Sequence, residues 1–155
     1  MASKKLVPEP SNCTGCHSCE VWCSHEHFQV SNLSLGRLRI VTNERQGEFV
    51  PETCYHCEDP WCMNACPSEA ITRDPDTGAV LIDQNNCTMC LICVDACPFE
   101  AISIASDGSV YKCDLCKGDP VCVWSCTRQA LAYKETTREY RDAANARAGR
   151  GGGKV

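Results

Sequence analysis

The chain has 155 residues, a formal net charge of −5 and 16 cysteines, but Leu, Ile, Val and Phe together make up only about 18% of it. This length allows one domain or two very small ones, with little room for a separate catalytic domain, and no run of 18 apolar residues is present that could insert into a membrane. Because the apolar share lies below the roughly 20% under which a charged chain tends to stay disordered, we expect groups bound to the cysteines to hold the fold together.

Short apolar runs bounded by turn residues predict strands between groups of cysteines, with short helices beside the cysteines. In chain order the predicted elements are a strand at 5–7, a helix over 20–28, a hairpin of strands 38–42 and 48–50, a helix over 62–66, a hairpin of 70–72 and 80–83, a helix over 92–97, a hairpin of 101–104 and 110–112, a helix over 121–126 and a strand at 130–133. Pairing of the first strand with the last would bring the ends of the cysteine-rich region together. The helix-forming residues and the glycine-rich end of segment 134–155 predict a C-terminal helix followed by a flexible tail.

The 16 cysteines fall into four groups of four, and none is left over. The third group has the spacing Cys-x2-Cys-x2-Cys-x3-Cys-Pro of bacterial ferredoxins. The first group has this spacing without the proline, and the second and fourth widen one gap. The groups are Cys13, Cys16, Cys19 and Cys23; Cys54, Cys57, Cys62 and Cys66; Cys87, Cys90, Cys93 and Cys97; and Cys113, Cys116, Cys122 and Cys126.

This spacing has a geometric reason. Three thiolates from one tight loop can bind three irons of a cubane cluster, while the fourth cysteine points away and binds the neighbouring cluster. Four groups therefore predict four [4Fe–4S] clusters in which every iron has a sulfur ligand. Structural zinc sites normally use two pairs of ligands, and disulfide frameworks belong to oxidising compartments, so both alternatives fit the pattern poorly.

The second and third groups are joined by one predicted hairpin, and both end in Cys-Pro. They predict an inner ferredoxin module at 50–106, and the other two groups predict an outer module made of 1–49 and 107–133, with an insertion at 24–49. The predicted fold is thus a small α+β fold of two interleaved bacterial-ferredoxin-like dicluster modules. The rival pairing, first group with second and third with fourth, follows the internal sequence repeat and stays open. The favoured pairing gives quartet 1 (Cys13, Cys16, Cys19, Cys126), quartet 2 (Cys54, Cys57, Cys62, Cys97), quartet 3 (Cys66, Cys87, Cys90, Cys93) and quartet 4 (Cys23, Cys113, Cys116, Cys122).

The four groups, in this order and with these gaps, resemble the four-cluster iron–sulfur subunits of molybdenum and tungsten pterin enzymes such as formate dehydrogenase and dimethyl sulfoxide reductase. The resemblance covers about residues 5–133 and implies the same cross-ligation, with no catalysis by the chain itself and electron transfer between a large catalytic subunit and an acceptor. The short chain is most similar to the small subunits of cytoplasmic tungsten aldehyde oxidoreductases. It also resembles the carriers of carbon monoxide dehydrogenase and hydrogenase systems, so a free polyferredoxin shuttle is the alternative.

Charge and motifs limit the partners. With four oxidised clusters bound, the net charge becomes about −13, so a partner is expected to present basic surface; the basic tail beyond residue 134 could mediate self-association. The chain has no dinucleotide fingerprint or phosphate-binding loop, so flavin or NAD would have to belong to a second redox subunit. It also has no basic stripe interleaved with aromatic residues, which argues against nucleic-acid binding. The absence of a secretory signal at residues 1–8 predicts a cytoplasmic protein.

Overall fold

Four separate antiparallel strand pairs organise the protein in the computed structural model, which describes residues 4–136 and residue 140. The outermost pair joins the first strand to the last, and the other three pairs are local hairpins. The pairs are β1 (Lys4–Pro8) with β8 (Leu131–Glu135), β2 (Arg39–Asn43) with β3 (Glu48–Glu52), β4 (Ile71–Arg73) with β5 (Val80–Ile82), and β6 (Ile102–Ile104) with β7 (Val110–Lys112). The three predicted hairpins and the predicted pairing of the terminal strands are confirmed.

Turn chemistry explains where two of the hairpins reverse. Asp74 follows β4, and its Oδ1 accepts hydrogen bonds from the N–H groups of Asp76 at 2.9 Å and Thr77 at 2.8 Å. In the β6–β7 hairpin, Asp107 Oδ1 accepts from the N–H of Ser109 at 2.9 Å. Such side-chain bonds to backbone groups two or three residues ahead favour a turn over a continued strand.

Among the described residues, four α-helices carry cysteines, and all four lie close to their predicted positions. They are α1 (Ser18–Phe28), α2 (Trp61–Asn64), α3 (Ile92–Ala96) and α4 (Val121–Trp124). Pro60 and Pro120 are the N-cap residues of α2 and α4, and both have an extended backbone that leads into the helix. Helix α1 packs against α4, and α2 packs against α3. Helices from the first and fourth cysteine groups therefore meet, as do those from the second and third.

Cysteines make up much of the buried interior, which has two parts. One contains Leu6, Leu38, Leu115 and Leu131 together with five cysteines of the first, second and fourth groups. The other centres on the two inner hairpins and contains Ile71, Val80, Ile102 and Val110 with Cys62 and Cys93. The small apolar content thus surrounds the cysteines and leaves no cysteine-free core of its own among the described residues.

The ends of the chain differ partly from the prediction. Strand β8 continues to Glu135, two residues past the predicted strand. In the segment 134–155, predicted as a C-terminal helix and flexible tail, Lys134 and Glu135 instead belong to β8. The rest lies outside the described residues, apart from Thr136 and Tyr140, and the hydroxyl of Tyr140 donates to the carbonyl oxygen of Leu6 at 3.0 Å. In the described ranges, 4–136 and 140, no helix has the length and apolar character needed to span a membrane.

Candidate metal centres

The ligand loops share a backbone feature that the sequence does not reveal. The residue before the second cysteine of every group has a positive φ, and these residues are Gly15 (68°), His56 (45°), Met89 (54°) and Leu115 (59°). Left-handed conformations cost a residue with a side chain about 1–2 kcal/mol, and such strain persists only where the surroundings enforce it. Since three of the four are not glycine, neither composition nor turn rules could predict them.

Within each of the four quartets, neighbouring thiols act on one another electrostatically, and quartet 2 shows this first. Burial and the charges of Cys54 and Cys97 raise the pKa of Cys57 to about 11. The same two thiols contribute to the raised pKa of Cys62, also about 11, for which burial is again the largest cause. Cys97 comes from the third cysteine group, so the structure brings together the four members of quartet 2.

In quartet 3, a cysteine of the second group lies beside the loop of the third group. Burial raises the pKa of Cys93, and the charges of Cys87, Cys66 and Cys90 raise it further. Cys66 belongs to the second cysteine group, yet it lies with the loop of the third. The residues predicted to hold this centre are therefore neighbours in space.

Cysteines of the first and fourth groups also lie close together. Burial raises the pKa of Cys19 to about 12, with Glu20, Cys126 and Cys13 among the further causes. Cys16 shares the loop but is exposed, and its thiol donates to Ser18 Oγ at 3.5 Å.

Quartet 4 is the most deeply buried of the four. Burial raises the pKa of Cys122 well above its usual value, and Cys113, Cys23 and Cys116 add to the shift. Burial likewise raises the pKa of Cys116 to about 11, with Cys23 contributing. Cys23 reaches this group from α1, the helix that packs against α4.

Contacts between quartets also indicate an order. Cys19 of quartet 1 is among the charges that act on Cys122 of quartet 4. Cys54 of quartet 2 acts on Cys113 of quartet 4. Cys62 of quartet 2 and Cys93 of quartet 3 share the second buried group. Quartet 4 is therefore a neighbour of quartets 1 and 2, and quartet 2 is a neighbour of quartet 3. The exposed members Cys16 and Cys90 belong to quartets 1 and 3.

Backbone amides already point at several sulfurs. The N–H groups of Arg37, Ala130 and His56 donate to the Sγ atoms of Cys23 (3.2 Å), Cys126 (3.2 Å) and Cys54 (3.4 Å), respectively. Hydrogen bonds of this kind favour a negatively charged sulfur, because the donor stabilises the thiolate more than the thiol. The amide of Arg37 thereby opposes the desolvation that raises the pKa of Cys23.

The donor set fits iron–sulfur clusters. All 16 cysteines are free thiols, and none forms a disulfide within the part of the chain that the structure describes, which includes every cysteine. Soft thiolate ligands select iron–sulfur clusters, zinc or copper(I), and sets of three loop cysteines plus one from another group match the two-cluster ferredoxin arrangement. One mixed set, His27, Asp114 and Cys116, also has its ligand atoms within 4.8 Å of one another, but Cys116 belongs to quartet 4.

Polar residues around the quartets were largely missed by sequence reasoning. His27 Nε2 lies 3.7 Å from Cys116 Sγ and 3.5 Å from Asp114 Oδ1, and Arg37 Nη1 donates to Asp114 Oδ2 at 2.8 Å. Lys5 and Lys112 are buried although lysines usually lie at the surface. No motif signals these positions, because each depends on contacts between distant segments.

The tryptophans beside the ligands remain partly in solvent. Trp22, Trp61 and Trp124 are 44%, 41% and 57% exposed. The rings of Trp22 and Trp124 pack edge to face with centroids 5.0 Å apart, joining α1 to α4. Shielding a cluster from water therefore does not by itself explain why tryptophan occupies these three positions.

Comparison with known families supports the chemistry of the loops. Two family models, both described as "4Fe-4S dicluster domain", match residues 45–136 and 12–70 of the chain. The matches together span all 16 cysteines, and the first alone covers more than half of the chain.

Known proteins of similar size also match. The chain is 42% identical over 138 residues to the "Aliphatic sulfonate oxidoreductase, polyferredoxin-like subunit" of Pyrococcus furiosus, covering 88% of this chain and 79% of that protein. It is 32% identical over 170 residues to "Formate hydrogenlyase subunit 2" of Escherichia coli strain K12, covering 85% and 82% of the two chains.

A solved structure shares the fold. A chain from the "Active site complex BamBC of Benzoyl Coenzyme A reductase in complex with 1,5 Dienoyl-CoA" matches with a TM-score of 0.51 and 26% identity, covering 86% of this chain and 76% of that one. These matches confirm the predicted ferredoxin-like α+β fold. With its loop geometry, donor set and sequence all in agreement, the chain belongs to the 4Fe-4S dicluster domain family.

Proposed function

We propose that the protein is an electron-transfer subunit that binds four [4Fe–4S] clusters, one in each quartet, and performs no substrate chemistry itself. The observation that carries this proposal is the proximity of cysteines from paired groups, such as Cys97 to Cys57 and Cys66 to Cys93, which each quartet requires. Quartets 2 and 3 form an inner module and quartets 1 and 4 an outer one. When bound, each cluster supplies a centre that accepts and releases one electron.

The order of the quartets supports a fixed path for electrons. Quartets 1 and 3 end the series and contain the exposed Cys16 and Cys90, whereas quartet 4, inside the series, is lined by the buried Cys113 and Cys122. The protein's role is to hold the four sites in line, to exclude water from the inner ones and to present the outer ones to partners. The amides that donate to Cys23, Cys54 and Cys126 stabilise negative charge on the ligands.

The partner that best fits is a large catalytic oxidoreductase subunit of the tungsten or molybdenum pterin type, such as an aldehyde oxidoreductase. The relative named as a subunit of an aliphatic sulfonate oxidoreductase and the BamBC likeness support an oxidoreductase partner, whereas the pterin metal follows only from the resemblance of the cysteine pattern. A second redox subunit, with flavin or NAD as its cofactor, would complete the path. The alternative is a free polyferredoxin carrier that serves a hydrogenase or carbon monoxide dehydrogenase. The relative named as a formate hydrogenlyase subunit is itself a subunit and therefore favours the fixed role. We place the protein in the cytoplasm.

Metal analysis of the anaerobically purified protein tests the proposal. Four cubane clusters require about 16 iron atoms and about 16 acid-labile sulfides per chain. Stoichiometric zinc without labile sulfide would refute it. Purification from the native source then separates the two partners, since a fixed subunit elutes with a large tungsten or molybdenum protein, whereas a carrier elutes alone.

A further inference from the structure

A buried lysine lies beside the cysteines of quartet 4. Lys112 is the last residue of β7 and directly precedes Cys113, and only 4% of its surface is exposed. Its ammonium group donates to the carbonyl oxygen of Val80 and, at 3.4 Å, to that of Cys113. Both acceptors are neutral. Among the described residues, no carboxylate forms an ion pair with Lys112.

The same ammonium group also reaches the loop of quartet 2 through Val80. The N–H of Val80 donates to His56 Nδ1 at 2.9 Å, and the N–H of His56 donates to Cys54 Sγ at 3.4 Å. Val80 further packs in the same buried group as Cys62. Lys112 therefore lies between the ligand loops of quartets 2 and 4, where the inner and outer modules meet.

A buried positive charge needs a negative one nearby. Carbonyl oxygens replace only part of the hydration that an ammonium ion loses, so an uncompensated buried charge strongly destabilises a fold. The carboxylate of Asp114, two residues after Lys112, already pairs with Arg37 at 2.8 Å. The thiolates are the remaining negative groups, and four of them around a cluster core of charge 2+ leave a loaded quartet with charge −2. Burial raises the pKa values of Cys113 and Cys62, and the ammonium group of Lys112 acts against both shifts.

We propose that Lys112 is the internal counter-charge of quartets 2 and 4 and raises the reduction potentials of the clusters they hold. The inference rests on the proposed function. Reduction adds one negative charge to a cluster, and a nearby buried cation stabilises that added charge because little water screens it. Lys112 would thereby favour residence of the electron at the junction of the two modules.

An anaerobic redox titration followed by electron paramagnetic resonance tests the role of the charge. Lys112→Met removes the charge and retains a chain of similar length, whereas Lys112→Arg retains the charge. Lys117→Met is the matched control, because Lys117 is next to Cys116 of quartet 4 but is exposed to solvent. For Lys112→Met we expect the equilibrium constant for reduction to fall at least tenfold at two of the four clusters, equivalent to about 59 mV for a one-electron couple. Lys112→Arg and Lys117→Met should stay within about threefold of the unmodified protein.

Iron and sulfide contents distinguish a failure of the proposed function from a failure of the role of Lys112 alone. Absence of clusters from the unmodified protein refutes the proposed function, whereas full clusters with unchanged potentials in Lys112→Met refute only the role of Lys112. An equal shift in Lys112→Arg also refutes it, because size rather than charge would then matter. If Lys112→Met loses iron, Lys112→Gln, which keeps a donor for Val80, provides the neutral variant. Loss of iron from both neutral variants but not from Lys112→Arg supports the counter-charge, and loss from all three overturns it.

Discussion

In the ligand loops, the identity of the candidate ligands can be predicted from the sequence, whereas the backbone conformation between them cannot. The spacing of the cysteines identifies every candidate ligand, because a cluster constrains the separation of its ligands along the chain. The left-handed backbone at His56, Met89 and Leu115 is not predictable, since no local rule places such residues at positive φ. The burial of Lys112 is hidden for a similar reason: it follows from the approach of β5 and two ligand loops that are distant in sequence.

Gly15 is the one member of this set whose residue type matches its backbone, and it predicts a measurable loss of stability. A Cβ at Gly15 would lie 2.4 Å from Cδ1 of Phe49, so Gly15→Ala adds an overlap to the strain of φ 68°. Gly47→Ala is the matched control, since Gly47 has φ 64° and a Cβ there would meet no atom within 4 Å. We expect about 1–2 kcal/mol of destabilisation for Gly47→Ala and about 1–3 kcal/mol more for Gly15→Ala. Thermal unfolding of the iron-loaded protein measures both, and equal midpoints would show that the Phe49 contact is unimportant.

At the scale of elements, the hairpins could be predicted and the helix contacts could be predicted only through the cysteines. Turn residues such as Asp74 and Asp107 bound short apolar runs, so local chemistry suffices for β4–β5 and β6–β7. Helix α1 packs on α4, and α2 packs on α3, but helices this short carry no sequence pattern that predicts which helix they contact. The predicted pairing of the cysteine groups implied those contacts, because a fourth cysteine must reach the neighbouring loop.

The proposed exchange of the fourth cysteine between groups predicts which cluster is lost when one cysteine is replaced. Cys97→Ala should remove the spectroscopic signal of quartet 2, since that quartet would retain only three thiolates. The same signal should be lost in Cys57→Ala, which belongs to quartet 2 but to another loop. The matched control is Cys90→Ala, which shares a cysteine group with Cys97 and should remove a different signal. Electron paramagnetic resonance of the reduced proteins makes the comparison, and a common loss in Cys97→Ala and Cys90→Ala would favour ligation within one group.

For the whole molecule, closure depends on contacts between the two ends of the chain. Strand β1 pairs with β8 in the register Leu6 to Tyr133, and the N–H of Glu9 extends the pairing by donating to the carbonyl oxygen of Ala130 at 2.8 Å. Tyr140 adds its hydrogen bond to Leu6 beyond the strand. These contacts hold the first and last described segments together, as an outer module built from both ends of the cysteine-rich region would require.

The charge distribution of the whole chain gives the last prediction. Residues 137–155 contain five basic and two acidic side chains, in contrast to the net charge of −5 of the complete chain. We propose that this segment is a docking arm for the acidic surface of a partner molecule, which is a second copy of this chain. Truncation after Thr136 keeps β8 and all 16 cysteines, so iron content should be unchanged, while affinity for the partner should fall about tenfold or more at low salt. The difference from the full chain should shrink as salt screens the charges. Tyr140→Phe in the full chain controls for the lost contact with Leu6. Sedimentation of both proteins with the partner across a salt series makes the measurement, and equal affinity at low salt would rule out docking by the segment.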